Sequence, residues 1–512
     1  MTVVHDEKEI LQVLKEVDCT TVSTLDRSGI RTRMMHFWSD ENLNVYLASI
    51  KGDPKILQIS RNKMISLLVY QRAQDLNEAR EVEIAGVAII IRDEAERKRA
   101  FAELAKKSPV VSYFVETGDV GKLDLIKVVP HEIRFRIFKE IVQGVPPTVV
   151  RRSETIGQAL QPTTATQGRS SKLRSWITEI RPSFLTASAV SILLGTVVAW
   201  AITGIFHWDF FLLALVGGVC IHAGANVSND YFDHQSGTDD VNVEFVRPFS
   251  GGSRMIQLGL LSPREVLVGS FVFFGIGGAI GLYLAFTRGS VILVLGLIGV
   301  FSGLFYTAPP FRLASRGVGE LFVGINFGVL LTLGAFYVQA QTFALDPLFV
   351  SVPVALLIAA VLYINEFPDY TADREVGKRT LVVRLGRRRA VKGYIAILAT
   401  VPISIIIAVA LGIMSSYTLI ALSTLPFSVL GIRYARKVHD SSFDLVPAYA
   451  STVANHLLTG LILGLAYLLQ ALVVSPIYVA MVGLLLIGLA AFLSRWIQSQ
   501  ARTMEGLRIS VK

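Results

Sequence analysis

The sequence predicts an all-α bundle of nine or ten membrane-spanning helices, preceded by a soluble β-barrel domain. Apolar residues make up 52% of the 512-residue chain and charged residues only 17%, which is unusual for a soluble protein. This average composition combines two regions that differ in their content of charged and apolar residues. Residues 1–143 carry charges throughout, whereas 173–512 consist mainly of apolar runs long enough to cross a bilayer. Residues 144–172 are predicted to link the two domains.

The first region alternates short strand-like runs with turn residues and two or three helices, a pattern typical of a small β-barrel. Helices are predicted at 7–17 and 93–107, and residues 51–62 are predicted to form a turn that enters a helix. Strands are predicted at 20–25, 31–38, 43–48, 65–70, 81–91 and 126–138. The first residues lack an apolar core after a basic start, so no signal peptide is expected and this domain is predicted to remain in the cytoplasm.

The linker is predicted from its Pro, Thr and Ser content, which lacks helical or strand periodicity. An interfacial helix near 172–182 is expected to follow it. Nine spans are expected if a late segment is re-entrant, and ten if every apolar segment crosses. The segments are 183–205, 209–227, 265–287, 290–307, 318–341, 346–365, 391–413, 416–433, 447–472 and 474–494.

The distribution of positive charge predicts the orientation. The loops on one side of the bundle hold nearly all the Lys and Arg, and the other side holds little beyond Arg288. The positive-inside rule then places the N-terminus in the cytoplasm of a cell (inner) membrane protein. The same rule accounts for the net charge of +9, so no nucleic-acid partner is expected. Cys19 and Cys220 are too few for a disulfide framework or a metal finger.

Two acidic stretches contain the candidate catalytic residues. In the first, Asn226, Asp230 and Asp233 stand at i, i+4 and i+7 and so share one helical face. In the second, Asp369 and Asp373 stand at i and i+4. Each stretch ends a long apolar segment, and the topology puts both on the cytoplasmic side, where they can face each other.

Carboxylates at the end of a membrane helix are costly unless a cation accompanies them. Mg²⁺ prefers oxygen ligands and usually binds one or two carboxylates together with substrate phosphates. Asp230, Asp233, Asp369 and Asp373 are therefore the predicted metal ligands and catalytic residues. The alternative is that they are helix caps or solvated loop residues, which fits two matched stretches less well.

Further groups complete the predicted site. Asn226, Arg254, Arg312, Lys378 and Arg379 are predicted to bind a substrate diphosphate. Tyr306 is predicted to stabilise an allylic cation with the face of its ring. An apolar helical bundle beside such a site would hold a long isoprenoid tail.

The region from about Trp176 to the C-terminus resembles the UbiA superfamily of intramembrane aromatic prenyltransferases, and within it the 1,4-dihydroxy-2-naphthoate polyprenyltransferase branch. The resemblance rests on four motifs: Arg181-Pro-Ser-Phe-Leu-Thr-Ala-Ser, Asn229-Asp-Tyr-Phe-Asp-x-x-x-Gly-Thr-Asp, Tyr306-Thr-Ala-Pro-Pro and Gly377-Lys-Arg-Thr-Leu-Val-Val-Arg-Leu-Gly.

Two positions depart from the superfamily pattern. Gly237 stands where a further Asp is frequent, as is common in the naphthoate branch, with Asp239 and Asp240 as alternatives for that ligand. Thr371 stands where the second motif often has an acidic residue, which weakens the ligand set of a second Mg²⁺.

Most of residues 8–140 resembles the pyridoxamine-phosphate-oxidase-like split barrels. The matching features are Val22-Ser-Thr-Leu-Asp, the strand with Arg31 and Arg33, the helix entry Gly52-Asp-Pro-Lys55 and Asn62-x-x-Ile-Ser-Leu-Leu-Val. The resemblance implies FMN binding, with the phosphate held by Arg33, Lys55 and Arg31, and a homodimer through this domain. The alternative is a solvated basic face without a cofactor.

Together the resemblances imply Mg²⁺-dependent transfer of a polyprenyl group from its diphosphate to an aromatic acceptor, 1,4-dihydroxy-2-naphthoate in menaquinone biosynthesis. The cytoplasmic flavin-type domain would keep the acceptor or product reduced. Three alternatives remain open. They are a prenyltransferase for another acceptor (a glycerol phosphate lipid, a chlorin or a haem), a flavin reductase with a membrane anchor, and a transporter, which the lack of an evident internal repeat disfavours.

Overall fold

The structure is a computed structural model that describes residues 5–26, 29–51, 53–152, 169–242, 244, 246, 249–257 and 260–509. The chain divides into two compact units, Met1–Gln167 with Met504–Lys512, and Gly168–Thr503. Each unit is described separately below.

The first unit contains a closed β-barrel. The strands lie in the order β3-β2-β1-β4-β5-β6-β7, and a further antiparallel pairing of β3 with β6, from Val45 with Val128 to Ile50 with Leu123, closes the first six into a barrel. This confirms the predicted small barrel and its six strands. The strands are β1 Cys19–Asp26, β2 Gly29–Ser39, β3 Val45–Ile50, β4 Met64–Gln71, β5 Arg80–Ile91, β6 Leu123–Ile137 and β7 Thr148–Arg151.

Five α-helices accompany the barrel in the described part of this unit, and short polar side chains begin several of them. Asp6, Asp53 and Asp93 each accept a hydrogen bond from a backbone N–H in the first turn of the helix that follows. The three helices predicted from the sequence are confirmed. The helices are α1 Glu7–Glu16, α2 Pro54–Arg61, α3 Glu94–Lys107, α4 Pro109–Glu116 and α5 Phe138–Val142.

The predicted linker contains regular structure at both ends. Thr148–Arg151 forms β7, which pairs with Glu132–Phe135 of β6. The helix α6, Arg169–Glu179, begins before the predicted boundary at 172. The sequence missed β7 because four residues are too few to show a strand period when a Pro-Pro pair precedes them. The middle of the linker, 153–168, lies outside the described residues.

The second unit is helical, as predicted. In the described residues it has nine helices that are long and apolar enough to cross a membrane, and one shorter apolar helix. The helices are α7 Pro182–Thr203, α8 Trp208–Ser236, α9 Pro263–Arg288, α10 Val291–Leu304, α11 Gly319–Ala340, α12 Asp346–Glu375, α13 Arg387–Ala410, α14 Ser416–Val438, α15 Val446–Ala471 and α16 Pro476–Gln500.

The short helix is the fourth segment, not a late one as the sequence suggested. The 14 residues of α10 extend about 21 Å, less than a hydrocarbon core of about 30 Å. At one end of the bundle Arg288 donates hydrogen bonds to the carbonyls of Val338 and Gln339. At the other end the Arg379 N–H donates to the Ser315 carbonyl. The chain therefore changes ends between Arg288 and Ser315, so α10 and the residues after it act as a crossing.

Close helix packing in this unit depends on glycine. A Cβ at Gly195 of α7 would overlap the Thr332 carbonyl oxygen of α11, and one at Gly328 would overlap Ala355 Cα of α12. Backbones that approach this closely exclude any side chain, and such small-residue contacts are a main source of helix association in membranes. These contacts hold α11 against α7 and α12. Part of α11, Gly324–Leu330, is π-helical.

Candidate active site

A cavity of about 350 Å³ lies among helices α7 to α12. One end is polar and includes Asp233, Asp369, Asp373 and Lys378. The rest of the wall is apolar and rich in glycine. Its residues include Gly217, Gly218, Ile221, Gly277, Ile280, Leu284, Gly296, Gly299, Leu331 and Val338. The shape suits a ligand with a charged head and a long apolar tail.

The first predicted ligand, Asp230, lies buried directly behind the wall. Its carboxylate forms an ion pair with Arg181, which lines the cavity, and accepts a hydrogen bond of 2.8 Å from the Ser253 N–H. The close approach of this loop to the Asp230 carboxylate requires glycine at position 252. Gly252 has a φ of +68°, and a Cβ there would come 2.9 Å from Asp230 Oδ1. The Gly-Gly-Ser segment thus fixes Asp230 from outside α8.

One lysine joins the two acidic stretches. Lys378 Nζ lies 3.3 Å from Asp233 Oδ1 and 3.6 Å from Asp373 Oδ1. Asn229 Nδ2 also donates to Asp233 Oδ2 at 3.2 Å. Burial alone would lower the pKa of the Lys378 ammonium, but these carboxylates outweigh it and raise the pKa well above its ordinary value. Lys378 is therefore a permanent positive charge at the polar end of the cavity.

Asp369 is held by a residue that sequence analysis did not select. Asn242 Nδ2, just beyond the first acidic stretch, donates a hydrogen bond of 2.7 Å to Asp369 Oδ1. Asn242 also lines the cavity. The segment after the first stretch therefore contributes the Asn242 amide to Asp369 of the second stretch. Lys378 of the second stretch in turn contacts Asp233 of the first.

The other predicted cations do not line the cavity. Arg254 is buried and supports the loop, donating to the backbone carbonyls of Asp239 and Asn242. Arg312 and Arg379 are exposed. Diphosphate binding by these three remains a prediction.

Asn226 and Tyr306 both line the cavity, as the prediction requires. Asn226 also donates a hydrogen bond of 3.4 Å to the Ile180 carbonyl, which ties α8 to the segment before α7. Asp239 lines the cavity and is buried, where burial raises the pKa of its carboxyl. The side chain of Asp240, the other alternative ligand, lies outside the described residues.

Sequence analysis also missed a buried acid, Glu179 at the end of α6. It accepts a hydrogen bond from the Ser253 hydroxyl, next to the Ser253 N–H that binds Asp230. Burial raises the pKa of Glu179 to about 7. The sequence analysis used Arg181 only as part of a motif. An Arg that precedes Pro at the start of an apolar segment is, however, a signal for a positive charge at the N-terminal end of a membrane helix. The positions of Glu179 and Asn242 in the sequence give no signal of a functional role.

The polar end fits a divalent cation that arrives with its substrate. No preformed group of three or more His, Cys, Asp or Glu occurs among the described residues. Mg²⁺ does not need such a group, because it takes few carboxylates and completes its shell with water and phosphate. The buried Asn365 Oδ1 accepts no hydrogen bond from any described residue, and Asp373 Oδ1 has Lys378 Nζ at 3.6 Å but no hydrogen bond from a described residue. Such oxygens are suitable ligands.

In the barrel unit, two of the three predicted flavin-binding residues are brought to one place. Arg33 of β2 donates a hydrogen bond of 2.9 Å to Gln58 Oε1 on α2. Lys55 lies in the first turn of that helix, 2.9 Å from Asp53 Oδ2. Arg31 is exposed. Both cations therefore lie beside α2, Lys55 in its first turn and Arg33 at the fifth of its eight residues.

Apolar helices thus surround a cavity at whose polar end Lys378 bridges two acidic helix ends. The model of the UbiA prenyltransferase family matches residues 188–450. The chain belongs to this family, and it is a multi-pass membrane prenyltransferase.

Named relatives act on naphthoate-type acceptors. The chain is 31% identical over 319 residues to 2-carboxy-1,4-naphthoquinone phytyltransferase of Synechocystis sp., covering 61% of this chain and 98% of the relative. It is 27% identical over 290 residues to 1,4-dihydroxy-2-naphthoate octaprenyltransferase of Bacillus subtilis, covering 57% and 91%.

The barrel unit is similar to several solved structures. One is a candidate pyridoxamine 5′-phosphate oxidase from Listeria innocua, 24% identical, with 26% of this chain and 98% of that chain covered and a TM-score of 0.21. This likeness concerns the fold, and the closed barrel itself is established by the strand pairing described above.

Proposed function

We propose that the protein transfers a polyprenyl group from polyprenyl diphosphate to 1,4-dihydroxy-2-naphthoate, as a step of menaquinone biosynthesis. The observation that carries the proposal is the pairing of Lys378 with Asp233 and Asp373 at the polar end of an apolar cavity. The names of the two relatives support the naphthoate acceptor.

We further propose that Asp230, Asp233, Asp369 and Asp373 hold Mg²⁺ together with the diphosphate. When bound, the metal neutralises charge on the leaving diphosphate. Lys378 adds a fixed positive charge beside the same oxygens, and Arg181 adds a second from the N-terminal end of α7. These cations favour rupture of the bond between the allylic carbon and the diphosphate oxygen, because negative charge grows on that oxygen in the transition state.

The apolar wall has two tasks. It binds the isoprenoid tail and it excludes water, which would otherwise capture the allylic cation and give an alcohol. Tyr306, on the wall at the polar end, presents a ring whose negative face stabilises a cation. The acceptor ring carbon attacks the allylic carbon, the carboxylate leaves as carbon dioxide, and the product is a demethylmenaquinol.

The test is a mass-spectrometric assay of purified protein in lipid vesicles with Mg²⁺, a polyprenyl diphosphate and 1,4-dihydroxy-2-naphthoate. A decarboxylated, prenylated naphthoquinol is expected. An acceptor panel containing a glycerol phosphate, a chlorin and a haem runs in parallel. Transfer only to one of those would contradict the naphthoate proposal, and no transfer to any acceptor would favour the reductase alternative.

We also propose that the barrel unit binds FMN through Arg33 and Lys55 and keeps the acceptor or product reduced. The support is that Lys55 lies in the first turn of α2 and that Arg33 donates a hydrogen bond to Gln58 of the same helix. Titration with FMN should show binding that Arg33→Gln or Lys55→Gln weakens about 10- to 150-fold, since a lost charge-assisted hydrogen bond costs about 1.5–3 kcal/mol. Lys106→Gln is the control, because Lys106 is exposed on α3. Absence of FMN binding by the wild-type protein would refute it. Dimerisation of this unit remains a prediction.

The orientation is proposed on charge. The end of the bundle with the acidic stretches also holds the basic loops before α11 and after α12, so it should face the cytoplasm of a cell (inner) membrane. Cysteines introduced at Arg388 and at Phe343, which is 75% exposed at the opposite end, would report this by labelling of intact cells. Labelling of Arg388→Cys from outside would reverse the assignment.

A further inference from the structure

The lining of the cavity changes from polar to apolar along three helices. Among the described residues, the last polar lining side chains before the apolar end are His222 on α8, Ser302 on α10 and Asn326 on α11. Beyond them each of these helices contributes only apolar residues and glycine to the lining, such as Ile221 and Leu295. His222, Ser302 and Asn326, here termed the polar belt, therefore lie between the aspartates and the apolar part of the cavity.

His222 is buried and held from two sides. It is only 6% exposed. Its Nδ1 lies 2.7 Å from the Ser188 hydroxyl of α7, and its ring packs against Phe327 of α11 with 4.1 Å between the ring centroids. The other ring nitrogen, Nε2, has no hydrogen-bond partner among the described residues, and the side chain faces the cavity. A polar atom in such a place costs free energy unless a ligand or a water molecule binds it.

Asn326 is arranged in a similar way. Its Oδ1 accepts a hydrogen bond of 2.9 Å from the Ser302 hydroxyl, whereas its Nδ2 has no partner in the part of the chain that the structure describes. Asn326 precedes Phe327, whose ring contacts His222, so the amide and the imidazole lie at one level of the cavity. Both α11 residues belong to the π-helical segment, and π-helical turns within α-helices occur frequently at functional sites.

The polar belt lies where the two substrates have to meet. His222 precedes Asn226 by four residues on α8, so it lies on the same face about 6 Å further from the polar end. With the diphosphate at the aspartates and the tail in the apolar part, the allylic end of the donor lies beside the belt. An isoprenoid tail has no hydrogen-bonding group, so the belt is suited to the second substrate.

We propose that the polar belt binds the ring of the aromatic acceptor, and that His222 and Asn326 are specificity-determining residues that recognise its hydroxyl groups. The inference rests on the proposed function and names the place where the second substrate binds. A ring hydroxyl both donates and accepts, so it matches Nε2 in either tautomer of His222. Asn326 Nδ2 donates to a ring oxygen, and Phe327 offers the ring an aromatic surface.

Two substitutions of His222 distinguish ligand binding from a structural role. The amide of glutamine reaches the position of Nε2, whereas the shorter amide of asparagine reaches that of Nδ1. His222→Asn therefore keeps a partner for Ser188 and loses the group in the cavity, and His222→Gln does the reverse. His207→Asn is the control, because His207 precedes the first residue of α8 and is not among the lining residues that the structure describes.

The full-length variants are assayed in lipid vesicles with Mg²⁺, a polyprenyl diphosphate and 1,4-dihydroxy-2-naphthoate. The KM for the acceptor should rise about tenfold in His222→Asn and in Asn326→Leu, the effect of one lost hydrogen bond. His222→Gln should recover most of that loss, and His207→Asn should show the wild-type value. The KM for the donor should change much less than the KM for the acceptor. Prenyl alcohol released without acceptor reports that each variant is folded.

Recognition of the hydroxyl is measured with two competing probes, 1-naphthol and naphthalene. In the wild type 1-naphthol should inhibit about tenfold more strongly than naphthalene, and His222→Asn should abolish that preference. Partition of the probes into lipid cancels, because the ratio of inhibition constants is compared between variants.

A KM for the acceptor that rises in His222→Gln but not in His222→Asn would overturn the proposal, since only the contact with Ser188 would then matter. An unchanged inhibition ratio in His222→Asn would also overturn it. If His222→Asn does not fold, Asn326→Leu and the same ratio decide. Wild-type transfer only to another hydroxylated aromatic would refute the naphthoate assignment, and the two probes, tested against that transfer, would still decide the role of the belt. Transfer only to a non-aromatic acceptor would refute both.

Discussion

Lys378 Nζ lies 3.3 Å from Asp233 Oδ1, although the two residues are 145 positions apart in the chain. The contact joins the segment after α12 to the acidic end of α8. It fixes the relative position of the two stretches, and it puts a positive charge at the polar end of the cavity.

Replacing Lys378 by Met should lower kcat about 100- to 1,000-fold, the usual cost of losing one preorganised group that stabilises transition-state charge. The KM for prenyl diphosphate should rise less. Steady-state kinetics in vesicles would measure both. Lys392→Met is the control, because Lys392 is exposed on α13. Equal losses in the two variants would show that the effect is not local.

Asn242 is expected to orient Asp369 through its hydrogen bond of 2.7 Å. Asn242→Leu should raise the Mg²⁺ concentration for half-maximal activity about 10- to 100-fold, as found when groups behind a metal ligand are removed. Chelation by EDTA should abolish activity in every variant, and added Mg²⁺ should restore it. Gln341→Leu, in an exposed turn at the opposite end of the bundle, serves as the control. An unchanged Mg²⁺ requirement in Asn242→Leu would argue against Asp369 as a ligand.

Gly299 should limit the length of the isoprenoid tail. It lines the cavity, and an added Cβ would meet nothing within 4 Å, so a larger side chain would project into open space. Gly299→Leu should shift the ratio of kcat/KM for long and short prenyl diphosphates about tenfold or more towards the short donor. Competition between two donors, read by mass spectrometry, measures that ratio. Gly275→Leu has equal free space at an exposed position away from the cavity wall, and it should keep the wild-type ratio.

His5 should make the barrel unit more stable in mild acid than in base. Its burial lowers the pKa, but Glu9 and Glu140, at 2.8 and 3.1 Å, outweigh burial and raise the pKa above 6.5. A raised pKa contributes stability below 6.5, and that contribution is lost as the pH rises through the folded-state value.

Hydrogen exchange of the peptide containing α1, corrected for the intrinsic rate at each pH, would test this. His5→Gln should expose α1 more at pH 5.5 than at pH 8.5, relative to wild type. An equal difference at the two pH values would mean that the charge of His5 contributes nothing.

Several features were predictable because they depend on neighbours in sequence. The i, i+4, i+7 spacing of Asn226, Asp230 and Asp233 predicted a shared helical face, and all three lie on α8. The apolar runs predicted the membrane helices seen in the described residues. They could do so because each segment that crosses a bilayer must by itself be long and apolar enough. Alternation and turn residues predicted the six strands that close the barrel.

Other features depend on groups that meet only after folding. The sequence contains Arg181, Asn242 and Glu179, but their spacing does not reveal that Arg181 pairs with Asp230 or that Asn242 binds Asp369. It also made equal candidates of Lys378, Arg254, Arg312 and Arg379, and only Lys378 lines the cavity.

The sequence by itself thus determined the two-domain organisation, the membrane helices and the acidic stretches, because hydrophobic periodicity and charge distribution act locally. The tertiary structure alone decided which cation joins the stretches, how α10 returns the chain across the membrane, and that Asn242 binds Asp369. Those outcomes arise from helix packing, where glycines such as Gly195 and Gly328 set the distances between backbones, and no local pattern encodes them.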